Sequence, residues 1–386
     1  MKVTITTEVY PPRAGGAGWS TRALALALRG AGHDVTVLTT SPGPEDSDGL
    51  RVRRLKVQGR KRLAVPRAFA LHTRDVPGVV HAQHSLSALG SLAGEGASRV
   101  AVTVRDHWPV CFWSTRISRG ALCPECGLVP MTRCVDGHVP APRPLSFAAI
   151  PYMRGDLHQK RAALARAGAT LAVSEAIATE LRAVQIPRVE VVPNLVDAEE
   201  ARAIAATPSS VPLPPRFLLF VGKLEENKGA RLLVPAVKSA GTGLPLVVLG
   251  EGSLAHALKF EATSAGVDVH LHGWTPREDV LRALARAEAL VFPSLWPEPL
   301  SRVLLEALAL GTPVAAMETG GTREILRQEE GGLVVRDAAE LADALGRLTG
   351  DAALRARLSE AARERAKAFS PATLVPRYEA VYRRLG

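Results

Sequence analysis

Aromatic side chains make up only 4% of this 386-residue chain. Proteins that grip single-stranded nucleic acid use aromatic rings as stacking platforms, so RNA or DNA is a poor first partner. Cysteine is scarcer still: the four residues Cys111, Cys123, Cys126 and Cys134 fall inside one 24-residue window. A cluster of that kind suggests metal before disulfide in a reducing compartment. No apolar run reaches the roughly 20 residues of a membrane-spanning helix. The opening MKVTITTEVYPP begins as a strand, without the basic head and apolar core of a signal peptide. A cytoplasmic location is expected, with peripheral contact at the inner membrane face as its variant. Acidic residues are missing from one long stretch, since nine Lys or Arg and no Asp or Glu lie between Arg51 and Arg74.

What is present is aliphatic bulk. Hydrophobic residues account for 47% of the chain, enough at this length for two packed cores. The net charge of +10 and pI near 9.8 come largely from the acid-free stretch. That segment, RVRRLKVQGRKRLAVPRAFALHTR, mixes cations with Leu, Val and Phe, and the apolar-basic SFAAIPYMR follows downstream. Two readings stand for it, a solvated basic face around a loop or a surface held to anionic lipid.

In chain order the pattern is strand, turn, helix, strand. Lys2–Thr7 reads as a strand, a Gly-rich turn follows, and a helix from about Ser20 to Arg29 leads to a strand at Asp34–Thr39. Gly15, Gly16 and Gly18 do not form GxGxxG, which counts against a plain dinucleotide-binding dehydrogenase. Glycine there lets backbone approach a phosphate or sugar, or simply makes a tight turn. Further strands are predicted at Val79–His84 and Arg99–Val104. Residues 205–216 hold Pro208, Pro212, Pro214 and Pro215 without periodicity and read as a linker. A second alternating series follows, from FLLFVGKL through PLVVLGEGS, VDVHLHGW, ALVFPS and TPVAAME to GGLVV. The predicted domains are 1–200, with a Cys-rich insertion at about 105–155, then 210–370, then a C-terminal helix at 371–386 that packs back toward the first domain.

Charged residues cluster at predicted strand ends, where open α/β sheets bind ligands. In LVFPSLWPEPLSRVLLEALALGTPVAAME, Glu298 sits in the turn before a helix and Glu306 about two turns along it. A helix N-terminus there offers N–H groups to a phosphate, while carboxylates accept hydrogen bonds from sugar hydroxyls. Gly222 and Lys223 end FLLFVGKL, and Lys228 follows in EENKG. Two ammonium groups at one strand end suit a diphosphate leaving group. Gly273 and Trp274 end another strand, where a base would lie against backbone and ring, or where Trp274 is ordinary packing.

The ordered set GGAG, VVPNLVD, VGKLEENKG, HGW, FPSLWPEPLSRVLLEALALGTPV, ETGGTREI and FSPATLVPRYEAVYRRL resembles the family 4 retaining glycosyltransferases over nearly the full chain. The resemblance implies an α/β GT-B fold, two Rossmann-like doubly wound domains facing an interdomain cleft. It also implies a nucleotide-sugar donor of UDP or GDP type, a hydroxyl acceptor (a sugar or lipid-linked sugar) and no catalytic metal. It assigns the diphosphate to Lys223 and Lys228, the donor sugar to Glu298, the ribose to Glu306, phosphate contacts to backbone at Pro299, Leu300 and Ser301, and approach to the transferred sugar to Gly16 and Gly18. Lys223 stands where the family commonly has Arg, Ser301 where it has Gly, and Arg105 where it has a His that points at the donor sugar. Either His107 takes that place by a shift of register, or Arg105 or Asp106 serves the acceptor side without it. Retention would follow from acceptor and leaving group sharing one face of the sugar, with a diphosphate oxygen taking the proton.

The cysteines are spaced C-x11-C-x2-C-x7-C. The CPECG knuckle suits half of a tetrahedral zinc site, which with four thiolates would be structural and closed to chemistry. Free thiols or disulfides are the other readings. The expected activity is a retaining, metal-independent hexosyltransferase of cell-surface polysaccharide or glycolipid assembly. A sugar-nucleotide epimerase or phosphorylase is the alternative among enzymes, and a basic zinc-stapled nucleic-acid-binding protein the alternative outside them.

Overall fold

A computed structural model describes residues 1–118, 121–123, 126–139 and 147–386. The chain forms two compact units, Met1–Leu195 together with Pro371–Gly386, and Val196–Ser370. The first is built on an eight-stranded sheet of β1 (Lys2–Thr7), β2 (Asp34–Thr39), β3 (Asp46–Ser47), β4 (Leu50–Arg54), β5 (Val79–Ala82), β6 (Val100–Val104), β9 (Ala169–Ala172) and β10 (Val189–Val191). Between β6 and β9 a small antiparallel pair, β7 (Ile117–Ser118) and β8 (Ala121–Leu122), stands apart. The sheet order is β10-β9-β6-β5-β1-β2-β4-β3, parallel except for β3.

Both faces of the central strands are covered, as parallel strands between helical layers require. On one face Val3 and Ile5 join Leu24 and Leu28 of the helix Gly16–Gly30. On the other Thr6 is also buried, and its hydroxyl meets Ser91 Oγ at 3.1 Å. The C-terminal helix Pro371–Arg383 belongs to this core through Leu374, Val375, Tyr378, Val381 and Tyr382. His81 in β5 fixes it, with Nδ1 2.7 Å from Tyr382 Oη and Nε2 2.7 Å from Thr103 Oγ1.

The second unit holds six parallel strands in the order β13-β12-β11-β14-β15-β16. These are β11 (Leu218–Val221), β12 (Leu246–Leu249), β13 (Val269–Leu271), β14 (Ala289–Phe292), β15 (Val314–Met317) and β16 (Gly332–Val335). Leu218, Phe220, Val248, Val291, Leu345 and Leu358 are among its buried aliphatic core. The chain enters this unit at Val196, ahead of the Pro-rich stretch. That stretch is held within the unit, for Ser210 N donates to Asp279 Oδ1 at 2.9 Å. Each sheet reverses its winding once, between β1 and β5 in the first unit and between β11 and β14 in the second. Loops diverge at such a point and leave a crevice at the strands' carboxyl ends.

Candidate active site

In the second unit the crevice is made by two turns latched together. After β11 the chain runs through Gly222 and Lys223 into the short turn Glu226–Lys228, and after β14 it runs through residues 293–301. Asn227 O accepts from Leu295 N at 3.0 Å and from Trp296 N at 2.8 Å. Gly229, at φ 69°, lets the turns approach, because a Cβ there would lie 1.9 Å from Pro293 O.

This latch carries Lys228 to Glu298. Lys228 Nζ donates to Glu298 Oε1 at 2.6 Å and lies 4.2 Å from the Trp296 ring centroid, a cation–π contact. Ser294 Oγ donates to the same oxygen at 2.7 Å. Glu298 is 5% exposed, and its burial is offset by these two hydrogen bonds. Pro299, Leu300 and Ser301 lead into the helix Arg302–Leu310, whose N-cap Ser301 makes no side-chain capping bond. The Ser301 side chain therefore does not take up the backbone N–H groups of that first turn.

Glu306, two turns on, is buried. Its Oε1 accepts from Arg277 Nε at 2.8 Å and from Arg302 Nε at 3.0 Å, and Arg277 Nη2 also reaches Glu200 Oε2 at 3.2 Å. Burial pulls both guanidinium pKa values down; for Arg277 the two glutamates reverse the direction, for Arg302 they do not. Lys223 is exposed, and its charge helps lower the pKa of Glu225, which is bound chiefly by Ser253. Gly273, at φ 69°, bridges to Gly250 beside β12 and β13, and Trp274 next to it is 44% exposed. The structure thus gathers Lys228, Glu298 and the helix start at the second winding reversal.

In the first unit Gly16 opens the helix and is exposed, whereas Gly18 is buried where a Cβ would meet Ala14 Cβ at 2.6 Å. Tight packing accounts for glycine at that second position. The strand ends hold three groups that sequence reasoning passed over: Glu8, Gln83 and His84. Glu8 Oε1 accepts from Ser87 N at 2.7 Å, and burial, opposed by that bond, pushes the carboxyl up to about 7. His84 Nδ1 lies 2.9 Å from Thr7 Oγ1. Because the Thr7 hydroxyl donates to Val9 O at 2.9 Å, the imidazole is the donor between them. Burial, then the Arg105 charge, lowers His84 to about 3. At its 3.6 Å approach to Glu8 Oε2 the imidazole is accordingly neutral, so the contact is not an ion pair. The signal was the run HAQHS, whose first four residues close the predicted strand Val79–His84 and were read only as strand.

The three acceptor-side candidates at the end of β6 diverge. Arg105 turns to Gln83 Oε1 and its charge is felt by His81, His84 and Tyr378. Asp106 Oδ1 accepts from Trp108 N at 2.8 Å and shapes the turn. His107 is 2% exposed, with Nδ1 2.7 Å from Glu180 Oε2.

Glu180 in turn binds the Arg116 guanidinium, which donates from Nη2 to Cys123 O at 2.9 Å. All four cysteines are free thiols around one cavity of ≈ 150 Å³. Burial first and the other cysteines next push Cys134 up to about 11. Among the described residues no group of three or more His, Cys, Asp or Glu is gathered for a metal. Pro124 and Glu125 of the knuckle, and Ser146 of the apolar-basic segment, lie outside the described residues. The acid-free stretch forms β4 and the helix Lys61–Thr73, which exposes Leu63 and Leu71 beside its cations. No helix among the described residues is long and apolar enough to cross a membrane.

Comparison with known proteins follows the same division. The family model described as "Glycosyltransferase Family 4" matches residues 14–200, and that described as "Glycosyl transferases group 1" matches residues 202–365. A glycogen synthase of Mycobacterium tuberculosis is 27% identical over 384 residues, covering 95% of this chain and 90% of that protein. A D-rhamnosyltransferase of Pseudomonas aeruginosa is 40% identical over 126 residues, 32% of each chain. Among solved structures, sucrose-phosphate synthase from Thermosynechococcus elongatus superposes with a TM-score of 0.71 at 22% identity, covering 100% of this chain and 98% of that one. HepE from Anabaena, solved with UDP and glucose, gives 0.72 at 17% identity over 98% of each chain.

Proposed function

Since the chain belongs to the family 4 glycosyltransferases and has their GT-B fold, we propose that it moves a hexose from a UDP- or GDP-linked donor to a hydroxyl acceptor with retention and without a metal ion. The acceptor class is a sugar or lipid-linked sugar of cell-surface polysaccharide or glycolipid assembly. The observation that carries the reading is the Lys228–Glu298 pair, 2.6 Å apart, beside a helix start with no side-chain cap. A diphosphate docked on those N–H groups would place its leaving oxygen near Lys228, whose ammonium offsets the charge that develops there. Glu298 would take hydroxyls of the donor sugar, and exposed Lys223 would meet the diphosphate from its other side. Glu306, oriented by two guanidiniums, would receive the ribose. The acceptor would attack from the leaving group's face and pass its proton to the departing diphosphate, so that configuration is kept. Solved relatives of this fold hold UDP and UDP-glucose, which supports a uridine donor as the first to try.

A thermal-shift panel of UDP-, GDP- and ADP-sugars tests the proposal, because a ligand that binds only the folded state raises its midpoint. We expect a rise with one nucleotide series and its loss in Glu298→Gln for the sugar-bearing member but not for the bare nucleotide. No rise with any nucleotide would overturn the donor assignment.

A further inference from the structure

The chain has four cysteines, and all four line one cavity of ≈ 150 Å³ although Cys111 and Cys134 are 23 positions apart (134 − 111). Among the described residues no three of them already form a metal-holding group, so an ion would have to draw the four thiols in from the cavity wall. The rest of the lining is largely aliphatic, but Arg116, Arg161 and Glu180 share it. Four thiolates on a divalent cation leave two negative charges, and two guanidiniums stand in the same wall. Glu180 does not cancel them freely, since Arg116 and His107 already hold its two oxygens. Sulfur also has a donor: Arg116 N reaches Cys111 Sγ at 3.4 Å, while His138 Nδ1, 3.7 Å from Cys134 Sγ, bonds chiefly to Cys134 O at 2.9 Å. The His138 ring is itself stacked on Trp113, with centroids 5.0 Å apart.

We propose that Cys111, Cys123, Cys126 and Cys134 bind one structural zinc ion, and that Arg116 and Glu180 transmit its presence to His107 at the end of β6. Binding is ligand exchange without redox: four thiols lose four protons as four Zn–S bonds form. With every position filled by sulfur, the ion offers none to substrate and fixes shape. Arg116 is the connecting piece, because its backbone N–H touches Cys111 sulfur while its guanidinium holds the Cys123 carbonyl and Glu180. Glu180 then sets the His107 ring at 2.7 Å. His107 is a positioning group here, and its influence on the acceptor rests on the transferase reading; the zinc site does not.

The full chain, purified with zinc and desalted, should carry one zinc per molecule by elemental analysis. Exchange with Co²⁺ should give tetrahedral visible absorption and intense thiolate-to-metal bands in the near ultraviolet. Cys126→Ser and Cys134→Ser should each lose the ion. A wild-type protein with well under one zinc and four titratable thiols would overturn the site, as would disulfides found by mass spectrometry; both readings use the wild type and stand even if a variant misfolds. Glu180→Gln should keep zinc, raise the acceptor KM about tenfold and leave the nucleotide Kd within about twofold. An unchanged acceptor KM would remove the link to His107 while leaving the metal result intact.

Discussion

At the carboxyl ends of β11 and β14 the polar groups are paired as ions. Lys228 holds Glu298, and two guanidiniums hold Glu306. At the carboxyl ends of β1 and β5 burial does the opposite: Glu8 is pushed up to about 7 and His84 down to about 3, so both tend to the neutral form. The same doubly wound architecture therefore presents one crevice of paired charges and one in which a carboxyl and an imidazole are pushed toward neutrality beside the Arg105 guanidinium. A nucleoside diphosphate brings charge and suits the first. The second suits uncharged hydroxyls, which exchange hydrogen bonds without asking the site to hold an ion in low dielectric.

The largest blow to this contrast should come from Lys228→Ala. If the ammonium offsets leaving-group charge, kcat should fall by about 10²–10³, the usual cost of one preorganised charge donor. Stability should also drop, by about 1–3 kcal/mol, because Glu298 would stay buried with its Lys228 bond lost and the Ser294 hydroxyl still donating. Steady-state kinetics and denaturant melts read the two separately. A kcat within about threefold of wild type would make the pair a structural latch only.

How much of this was legible in the sequence follows the same contrast. Lys223, Lys228, Glu298 and Glu306 could be singled out because charged residues at predicted strand ends are conspicuous, and the alternation of strands and helices marked both sheets. Glu8 and His84 were not singled out, because their character comes from burial and from Thr7, Ser87 and Arg105, none adjacent to both in the chain. The latch on Asn227 O is a backbone contact and has no residue signature. Arg105, Asp106 and His107 looked alike as three polar neighbours, yet the turn after β6 sends each to a different partner. Spacing located the cysteines, but only the fold put all four around one cavity.

Titration should sharpen the contrast next. A carboxyl whose pKa rises from 4.5 unfolded to about 7 folded stabilises the fold fully below 4.5 and loses that contribution as pH rises through 7. Glu8→Gln, which cannot ionise and keeps an acceptor for Ser87 N, should match wild type at pH 5 and exceed it at pH 8 by about 2–3 kcal/mol. His81 and His84 have the reverse sign. Both are lowered from 6.5 to about 3, so their contribution is present above 6.5 and is lost as pH falls toward 3. Two such protons against one from Glu8 make the joint contribution of these three groups fall by about 1 kcal/mol per pH unit between 6 and 5, and the lowered His272 acts in the same direction. His84→Gln should make the slope shallower by about 1 kcal/mol per pH unit. Denaturant midpoints at pH 5, 6 and 8 decide; a Glu8→Gln protein no more stable at pH 8 would mean that the carboxyl is solvated.

The smallest expected effect lies inside the charged crevice. Arg277 and Arg302 donate to the same oxygen of Glu306, so the carboxylate has a spare cation. The two are not equivalent. Arg277 also binds Glu200, and the two glutamates lift its pKa despite burial, whereas burial leaves that of Arg302 lowered. Arg302 therefore bears more desolvation cost for less compensation, and an apolar residue in its place removes that cost along with the bond. Arg302→Leu should change stability by under about 1 kcal/mol and nucleotide affinity by less than about fivefold. Calorimetric titration with the nucleotide checks it. A loss of tenfold or more would mean that Arg302, rather than Arg277, orients Glu306, and that the crevice depends on a cation it holds only at a cost.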